Sequence, residues 1–176
     1  GVTVFVTAAA RLLASECAGG FLTLPGDVPR VTSAEVEAVL GTWAAQTREL
    51  GGLDHVAYVQ VFENKGASMG ASNPHPHSQL WATSNVPHVV ALEMEHQRQY
   101  LAQHAKPMLL DYVEQERRLG ERIVAANEHF TVLVPFWAVW PFEMMVIAHR
   151  PTRFLFDLSD EEFAALADVM RRALAK

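Results

Sequence analysis

Two histidines separated by a single proline are the residues of this sequence best suited to chemistry. They are His75 and His77, in the run NPHPHSQ at positions 73–79. Side chains two positions apart on an extended chain project to the same face, so both imidazoles and the Gln79 amide are expected to face one site. Pro76 fixes its own φ angle and stiffens the segment. A neutral imidazole is a nucleophile near pH 7, and an amide can donate a hydrogen bond to an oxyanion. Taken alone, the pattern is equally compatible with surface histidines in a proline-rich turn.

The elements around this run predict a strand, a loop and a returning strand that follow a helix. Residues 58–63 alternate and are rich in strand-forming types, and residues 79–82 are expected to form the returning strand. Upstream, Thr32 and Glu35 have the spacing of a capping box, and two glycines at 51–52 end the helical pattern. The residues predicted to form the buried face of this helix are Val36, Val39, Leu40, Trp43 and Leu50.

The second half of the sequence predicts helices, then strands, then a last helix. A helical zone is expected over 89–120, restarted at Pro107 and ended at Gly120. Strands are expected at 122–126, 129–134 and 142–147. Ser159 and Glu162 form a second capping-box pattern at the start of the last helix. The predicted buried face of that helix consists of Phe163, Leu166, Ala167, Met170 and Leu174.

Composition limits the classes of partner. The chain has 176 residues, of which 50% are hydrophobic, and its net charge is -6. That charge offers no basic surface for nucleic acid or an anionic membrane, and no apolar run is long enough to span a bilayer. A single cysteine, Cys17, excludes an intrachain disulfide and fits a reducing cytoplasm. Residues 1–30 form a poorly specified N-terminal extension, for which a secretory signal is the weaker interpretation because it lacks a basic leader.

The segment around the histidines resembles a known family. Residues 62–82, with the sequence FENKGASMGASNPHPHSQLWA, resemble the active-site segment of galactose-1-phosphate uridylyltransferases, a branch of the histidine-triad superfamily. Residues 107–113 and 128–142 also resemble that family. The resemblance implies an α+β fold made of two related repeats, each an antiparallel sheet with flanking helices. Residues 31–86 would then be the second half of repeat one and residues 87–176 the first half of repeat two, so that the chain is expected to be an internal portion.

The resemblance also implies a role for each residue of the motif. His77 matches the nucleophile that attacks the α-phosphorus of UDP-glucose and carries the uridylyl group to galactose-1-phosphate, a reaction of galactose metabolism. Gln79 matches the residue that hydrogen-bonds the phosphoryl oxygens. The loop that wraps the nucleotide is matched by Asn64, Gly70, Ala71 and Ser72, with Ala71 in place of the family's common cysteine.

Two metal sites are implied by the same resemblance. His75 matches a zinc ligand, but the family's Cys-x-x-Cys pair and a further histidine, expected near 26–27, have no counterpart, so zinc is expected to be absent or weakly bound. Glu93 matches a ligand of a second metal, iron or zinc, whose histidine partners are not found in the sequence. Alone it is more simply a solvated helix residue. No ligand spacing is visible among the other histidines, which are His55, His88, His96, His104, His129 and His149.

Three alternatives remain open. Trp137, Trp140 and Phe142 are expected to fill a core or a subunit interface, although a sugar-binding platform is possible. The chain as a whole could be a catalytically incomplete piece that acts only with a complementary chain or as a homodimer. It could also be a nucleotide-binding or nucleotide-hydrolysing histidine-triad protein. Gln79 stands where that group has a third histidine, which by resemblance favours transfer over hydrolysis.

Overall fold

The structure is a computed structural model that describes residues 32–63, 78–141 and 143–174. Helices and antiparallel strands follow one another along the chain, which confirms the predicted α+β class. The elements are α1 (Ser33–Gly51), β1 (Tyr58–Phe62), β2 (Gln79–Thr83), α2 (His88–His104), α3 (Met108–Leu119), β3 (Ile123–Ala126), β4 (Phe130–Leu133), β5 (Met145–Ala148), a 3-10 turn (Leu155–Asp157) and α4 (Asp160–Leu174).

Within the described residues, the strands form two antiparallel sheets. β1 and β2 make a two-stranded ribbon in which Phe62 lies opposite Gln79 and Tyr58 lies opposite Thr83. The second sheet has the order β3-β4-β5, with an irregularity in the register between Ile123 and Ala125. All the strands expected from the sequence are present, within a few residues of the predicted bounds.

Helix α1 begins at the predicted capping box. The Thr32 hydroxyl accepts a hydrogen bond from the Glu35 N–H at 3.2 Å, and the Thr32 N–H donates to the Glu35 carboxylate at 2.7 Å. Leu40 is fully buried, but Val39 is 46% exposed, so its predicted burial is wrong. The reason is geometric, because each residue turns the helix by about 100° and Val39 therefore lies at the margin of the stripe that holds Leu40 and Ala44. Val36 and Trp43 are partly buried and pack against the hydrophobic cluster that contains Leu40.

The three-stranded sheet is covered on both faces. Successive residues of β4 alternate between two hydrophobic clusters, as the twofold repeat of a strand requires. Phe130 and Val132 face the cluster built with α1 and α4, whereas Leu133 faces the cluster built with Leu109 and Val113 of α3. All four residues of β4 are buried.

Helix ends and the buried face of α4 largely match the sequence predictions. α3 follows Pro107 and ends at Gly120, whose φ of 70° is in the left-handed region that glycine adopts at helix ends. Leu166, Ala167 and Met170 are buried as predicted, while Phe163 and Leu174 are only half-buried. Val169 and Ala173 are also buried but were not predicted, because the stripe is wider than the periodic pattern suggests.

The segment between β4 and β5, residues 135–141, forms what we call the aromatic turn. The exposed fractions of Phe136, Trp137 and Trp140 are 76%, 47% and 67%, so Trp137 and Trp140 do not fill a core within this chain. The other two interpretations, a subunit interface and a sugar-binding platform, stay predictions. Phe142 lies outside the described residues. The turn is held from beneath, since the Phe136 N–H donates to the Tyr112 hydroxyl at 2.8 Å and the buried Glu143 carboxylate accepts main-chain N–H groups of the turn at 3.1 and 3.3 Å.

Candidate functional site

The first residue of the ribbon's second strand is Gln79, the one predicted catalytic residue that the structure describes. It is half-buried and lies opposite Phe62. Because side chains alternate along a strand and pair across it, one face of the ribbon carries Gln79 and a mixed polar and aromatic set of neighbours. Those neighbours are Tyr58, Gln60, Phe62, Trp81 and Thr83.

Hydrogen bonds and ring contacts fix the side chains of this face. The Tyr58 hydroxyl donates to the Gln60 side-chain oxygen at 2.5 Å, and the Gln60 amide donates to the Val61 carbonyl at 2.8 Å. The rings of Phe62 and Trp81 meet edge to face with their centroids 4.9 Å apart. Gln79 therefore projects beside side chains with defined positions.

Tyr58 keeps its proton on this face. Burial raises the pKa of the Tyr58 hydroxyl, and the negative charge of Glu93 raises it further. The hydroxyl is consequently a hydrogen-bond donor at neutral pH.

Glu93 itself is an exposed residue on α2. It belongs to no group of three potential ligand side chains within residues 32–63, 78–141 and 143–174. Its exposure agrees with the simpler interpretation of a solvated helix residue. A metal at Glu93 would need ligands from outside this set.

The other predicted site residues lie outside the described residues. They are the nucleophile and zinc positions, His77 and His75, together with the nucleotide-loop positions Asn64, Gly70, Ala71 and Ser72. Their roles stay predictions from the sequence.

A cluster of ionisable side chains that the sequence did not predict lies on the other sheet. Glu128, His129 and Glu161 bring their potential ligand atoms within 4.8 Å of one another. Glu128 and His129 precede β4, and Glu161 is in the first turn of α4. His129 and Glu161 are 32 residues apart in the sequence, so a search for potential ligands at short spacing does not find this arrangement.

His149 lies behind this cluster and uses both ring nitrogens. Nδ1 is 2.7 Å from the Glu128 carbonyl, which can only accept, so Nδ1 carries the proton and donates. Nε2 then accepts from the Thr131 hydroxyl at 2.8 Å. Burial lowers the pKa of His149, which keeps the ring in this neutral form.

Comparison with known proteins identifies the family. The model of the galactose-1-phosphate uridyl transferase N-terminal domain matches residues 21–87, and the model of the C-terminal domain of the same family matches residues 93–176. A galactose-1-phosphate uridylyltransferase of Haemophilus influenzae is 47% identical over 149 residues, which are 85% of this chain and 42% of that protein. This chain belongs to the galactose-1-phosphate uridylyltransferase family. It spans about two fifths of the length of that relative.

Solved structures show the same likeness in the fold. A uridylyltransferase mutant has a TM-score of 0.74 at 30% identity, over 80% of this chain and 46% of that chain. An ADP-glucose phosphorylase from Arabidopsis thaliana, solved with bound ADP-glucose, has a TM-score of 0.71 at 26% identity, over 80% of this chain and 44% of that chain. None of the helices in the described part of this uridylyltransferase-family chain is long and apolar enough to cross a membrane.

Proposed function

We propose that this chain carries the nucleophile of a nucleotidyltransferase that exchanges UMP between UDP-glucose and galactose-1-phosphate. The observation that supports the proposal best is that Gln79 opens β2 on the polar and aromatic face of the ribbon, two residues after His77, in a chain of the uridylyltransferase family. An extended connection from 77 to 79 would bring the imidazole and the amide to the same face.

The reaction takes place in two displacements at phosphorus. In the first, an imidazole nitrogen of His77 attacks the α-phosphorus of UDP-glucose, the new P–N bond replaces the bond to the departing phosphate oxygen, and glucose-1-phosphate leaves. In the second, a phosphate oxygen of galactose-1-phosphate attacks the uridylyl-histidine, the P–N bond breaks, and UDP-galactose forms. A hydrogen bond from Gln79 to a phosphoryl oxygen stabilises the charge that develops in both steps.

The ribbon supplies the precision that this mechanism requires. Pairing of Gln79 with Phe62 fixes the start of β2, and the Tyr58–Gln60 hydrogen bond fixes the adjoining side chains. If the amide is already oriented before the substrate arrives, less conformational entropy is lost when it hydrogen-bonds the transition state. The nucleotide-loop residues Asn64, Gly70, Ala71 and Ser72 complete the proposed phosphate contacts.

Metals, partners and location are further parts of the proposal. Zinc at His75 and a second metal, iron or zinc, at Glu93 would each need ligands beyond those that the sequence and structure bring to these residues. We propose a homodimer or a complementary chain as the source of the missing contacts, and the cytoplasm as the location.

A second candidate differs in its nucleotide. The likeness to an ADP-glucose phosphorylase is almost as close as the likeness to the uridylyltransferase, with TM-scores of 0.71 and 0.74. A transfer of AMP from ADP-glucose is therefore the alternative chemistry. The simplest form of this second candidate is a protein that binds or hydrolyses the nucleotide without transferring it to a sugar phosphate. Comparing the two nucleotide sugars distinguishes these candidates.

Intact-mass spectrometry tests the proposal. The purified chain is incubated with UDP-glucose or with ADP-glucose, and spectra are recorded without acid because phosphohistidine is acid-labile. A uridylyl adduct is expected on the wild type and on His55→Asn, a control at an exposed histidine, but not on His77→Asn. Gln79→Ala is expected to slow adduct formation by roughly 10²-fold, the usual effect of removing one oxyanion donor.

The outcomes separate the candidates. An adduct that persists on His77→Asn would contradict the assigned nucleophile. Adenylylation in place of uridylylation would favour the second candidate. A folded wild-type chain that forms neither adduct would contradict catalysis by this chain alone and would favour an incomplete site.

A further inference from the structure

The cluster of Glu128, His129 and Glu161 lies outside the residues that the proposed reaction uses. Two carboxylates and one imidazole place their ligand atoms within 4.8 Å of one another, and His129 Nε2 lies 3.6 Å from a Glu161 oxygen. Nitrogen and oxygen atoms that share a tetrahedral ion with bonds of about 2.1 Å lie roughly 3.4 Å apart. Small rotations of the two exposed glutamates would therefore bring all three groups to one ion.

His129 supplies the observation that is independent of the carboxylates. Its Nε2 atom is buried and has no hydrogen-bond partner, the single such side-chain atom within the described ranges, while the side chain as a whole is 25% exposed. A buried polar atom without a partner loses its contact with water and gains nothing in return, so each case calls for an explanation such as a bound ion. The 3.6 Å separation from Glu161 is too long for a hydrogen bond and becomes an ion pair only when the imidazole is protonated.

The main chain of His129 is fixed on both sides. Its N–H donates to the Asn127 side-chain oxygen at 3.1 Å, and its carbonyl accepts from the His149 N–H at 2.9 Å. His149 also holds the carbonyl of Glu128 through Nδ1. The two adjacent ligand residues are thus positioned by the sheet before any ion arrives, which is the usual task of groups behind a metal site.

We propose that Glu128, His129 and Glu161 bind a divalent transition-metal ion, with Zn²⁺ as the best match. One imidazole and two carboxylates are ligands that Zn²⁺ accepts, whereas Mg²⁺ prefers oxygen atoms and retains its water. Three protein ligands leave the fourth position to water. The proposal uses neither His75 nor Glu93 and does not depend on the proposed transfer reaction.

Charges around the cluster set the strength of binding. Asp160 adds negative charge in the first turn of α4, while the Glu162 carboxylate is already engaged by Arg150. The helix N-terminus and Arg117, which acts on His149, oppose a cation. Because the Glu161 side chain is 79% exposed, water competes with the ion and the affinity is expected to be modest.

Calorimetric titration of the chelator-stripped chain tests the site. Zn²⁺ and Mg²⁺ are titrated separately into the wild type, His129→Ala, Glu161→Gln and two controls at exposed positions, His55→Ala and Glu37→Gln. We expect one Zn²⁺ event that weakens by more than about tenfold in His129→Ala and in Glu161→Gln but not in the controls, with no matching event for Mg²⁺. If His75 also binds Zn²⁺, a second binding event is expected in the wild type and in every variant, because none of the substitutions changes His75.

Thermal unfolding provides the second readout. An ion that binds the folded chain raises its melting temperature, so Zn²⁺ is expected to raise it in the wild type and much less in Glu161→Gln, whose exposed side chain can change without loss of fold. The proposal is overturned if Glu161→Gln and His129→Ala bind Zn²⁺ as the wild type does, or if the wild type shows no zinc event attributable to these residues.

Discussion

The ribbon and the three-stranded sheet differ in how completely they are packed. Every residue of β4 is buried, between one cluster that includes α1 and α4 and another that includes α3. By contrast, β1 is half-buried throughout, and β2 has two exposed positions, one of which is Trp81. Gln79, which we propose for chemistry, is thus on the less protected unit, whereas most of the burial that stabilises the fold surrounds the other sheet.

The polar interactions show the same division. Beside the three-stranded sheet, the Glu116 side chain is nearly fully buried and accepts from Arg122 at 2.9 and 3.0 Å. The Arg122 guanidinium also lies over the Phe136 ring of the aromatic turn, 5.6 Å from its centroid. On the ribbon face the corresponding contact is the uncharged Tyr58–Gln60 hydrogen bond. Because the Glu116 carboxylate is buried, loss of Arg122 would leave an unpaired buried charge, which is costly.

The largest predicted effect compares one leucine from each sheet. Leu133→Ala, at a fully buried position, is expected to lower the free energy of unfolding by about 3 kcal/mol because it leaves a cavity. Leu80→Ala, at a half-buried position of the ribbon, is expected to cost about 1 kcal/mol. Urea unfolding followed by circular dichroism measures both. Equal losses would contradict the proposed difference in packing.

The second-largest predicted effect is a loss of stability at low pH, in the half of the molecule that contains the three-stranded sheet. Hydrogen bonds from Arg150 hold the pKa of Glu162 at about 2, below its ordinary 4.5. Because the folded-state pKa is the lower one, this stabilisation is present above pH 4.5 and is lost as the pH falls toward 2. Allowing for partial screening of the half-exposed Arg150, it is expected to be about 2 kcal/mol.

Glu162→Gln should remove this pH-dependent part. The measurement is the free energy of unfolding from urea titrations between pH 2 and 7, with Glu37→Gln as the control at an exposed glutamate of α1. The assignment fails if the wild type and Glu162→Gln lose stability in parallel as the pH falls.

The smallest predicted effect is local to the ribbon. Tyr58→Phe removes the donor to Gln60 and is expected to cost about 1 kcal/mol, which speeds hydrogen exchange of β1 amides roughly fivefold without changing those of β4. Tyr112→Phe is the matched control, since its hydroxyl holds the aromatic turn instead. Faster exchange in both sheets of Tyr58→Phe would mean that the two units open together.

Local signals made most of the secondary structure predictable from the sequence. The two capping boxes at Thr32 and Ser159 are present, with reciprocal hydrogen bonds to Glu35 and Glu162. Pro107 and Gly120 mark the bounds of α3 as predicted. Such signals are reliable because each depends on a main-chain requirement within one helical turn.

Features that depend on distant residues could not be predicted. The exposure of Trp137 and Trp140 depends on a turn held by Tyr112 and Glu143. The association of His129 with Glu161 has the same origin, since neither residue indicates the other in the sequence. Of the predicted site, the structure describes Gln79, which is half-buried at the start of β2. Its role, like those of His75 and His77, stays a prediction.

The packing of α1 on α4 affects how the chain can fold during synthesis. Leu40 belongs to the same buried cluster as Leu166, and Arg171 donates to the Ser33 hydroxyl at 3.0 Å across 138 positions of sequence. At the usual 5–20 residues per second, the apolar stripe of α1 leaves the ribosome roughly 6 to 25 s before the helix that covers it. During that interval the stripe lacks the helix that buries it in the folded chain, so it is available to chaperones or to other nascent chains.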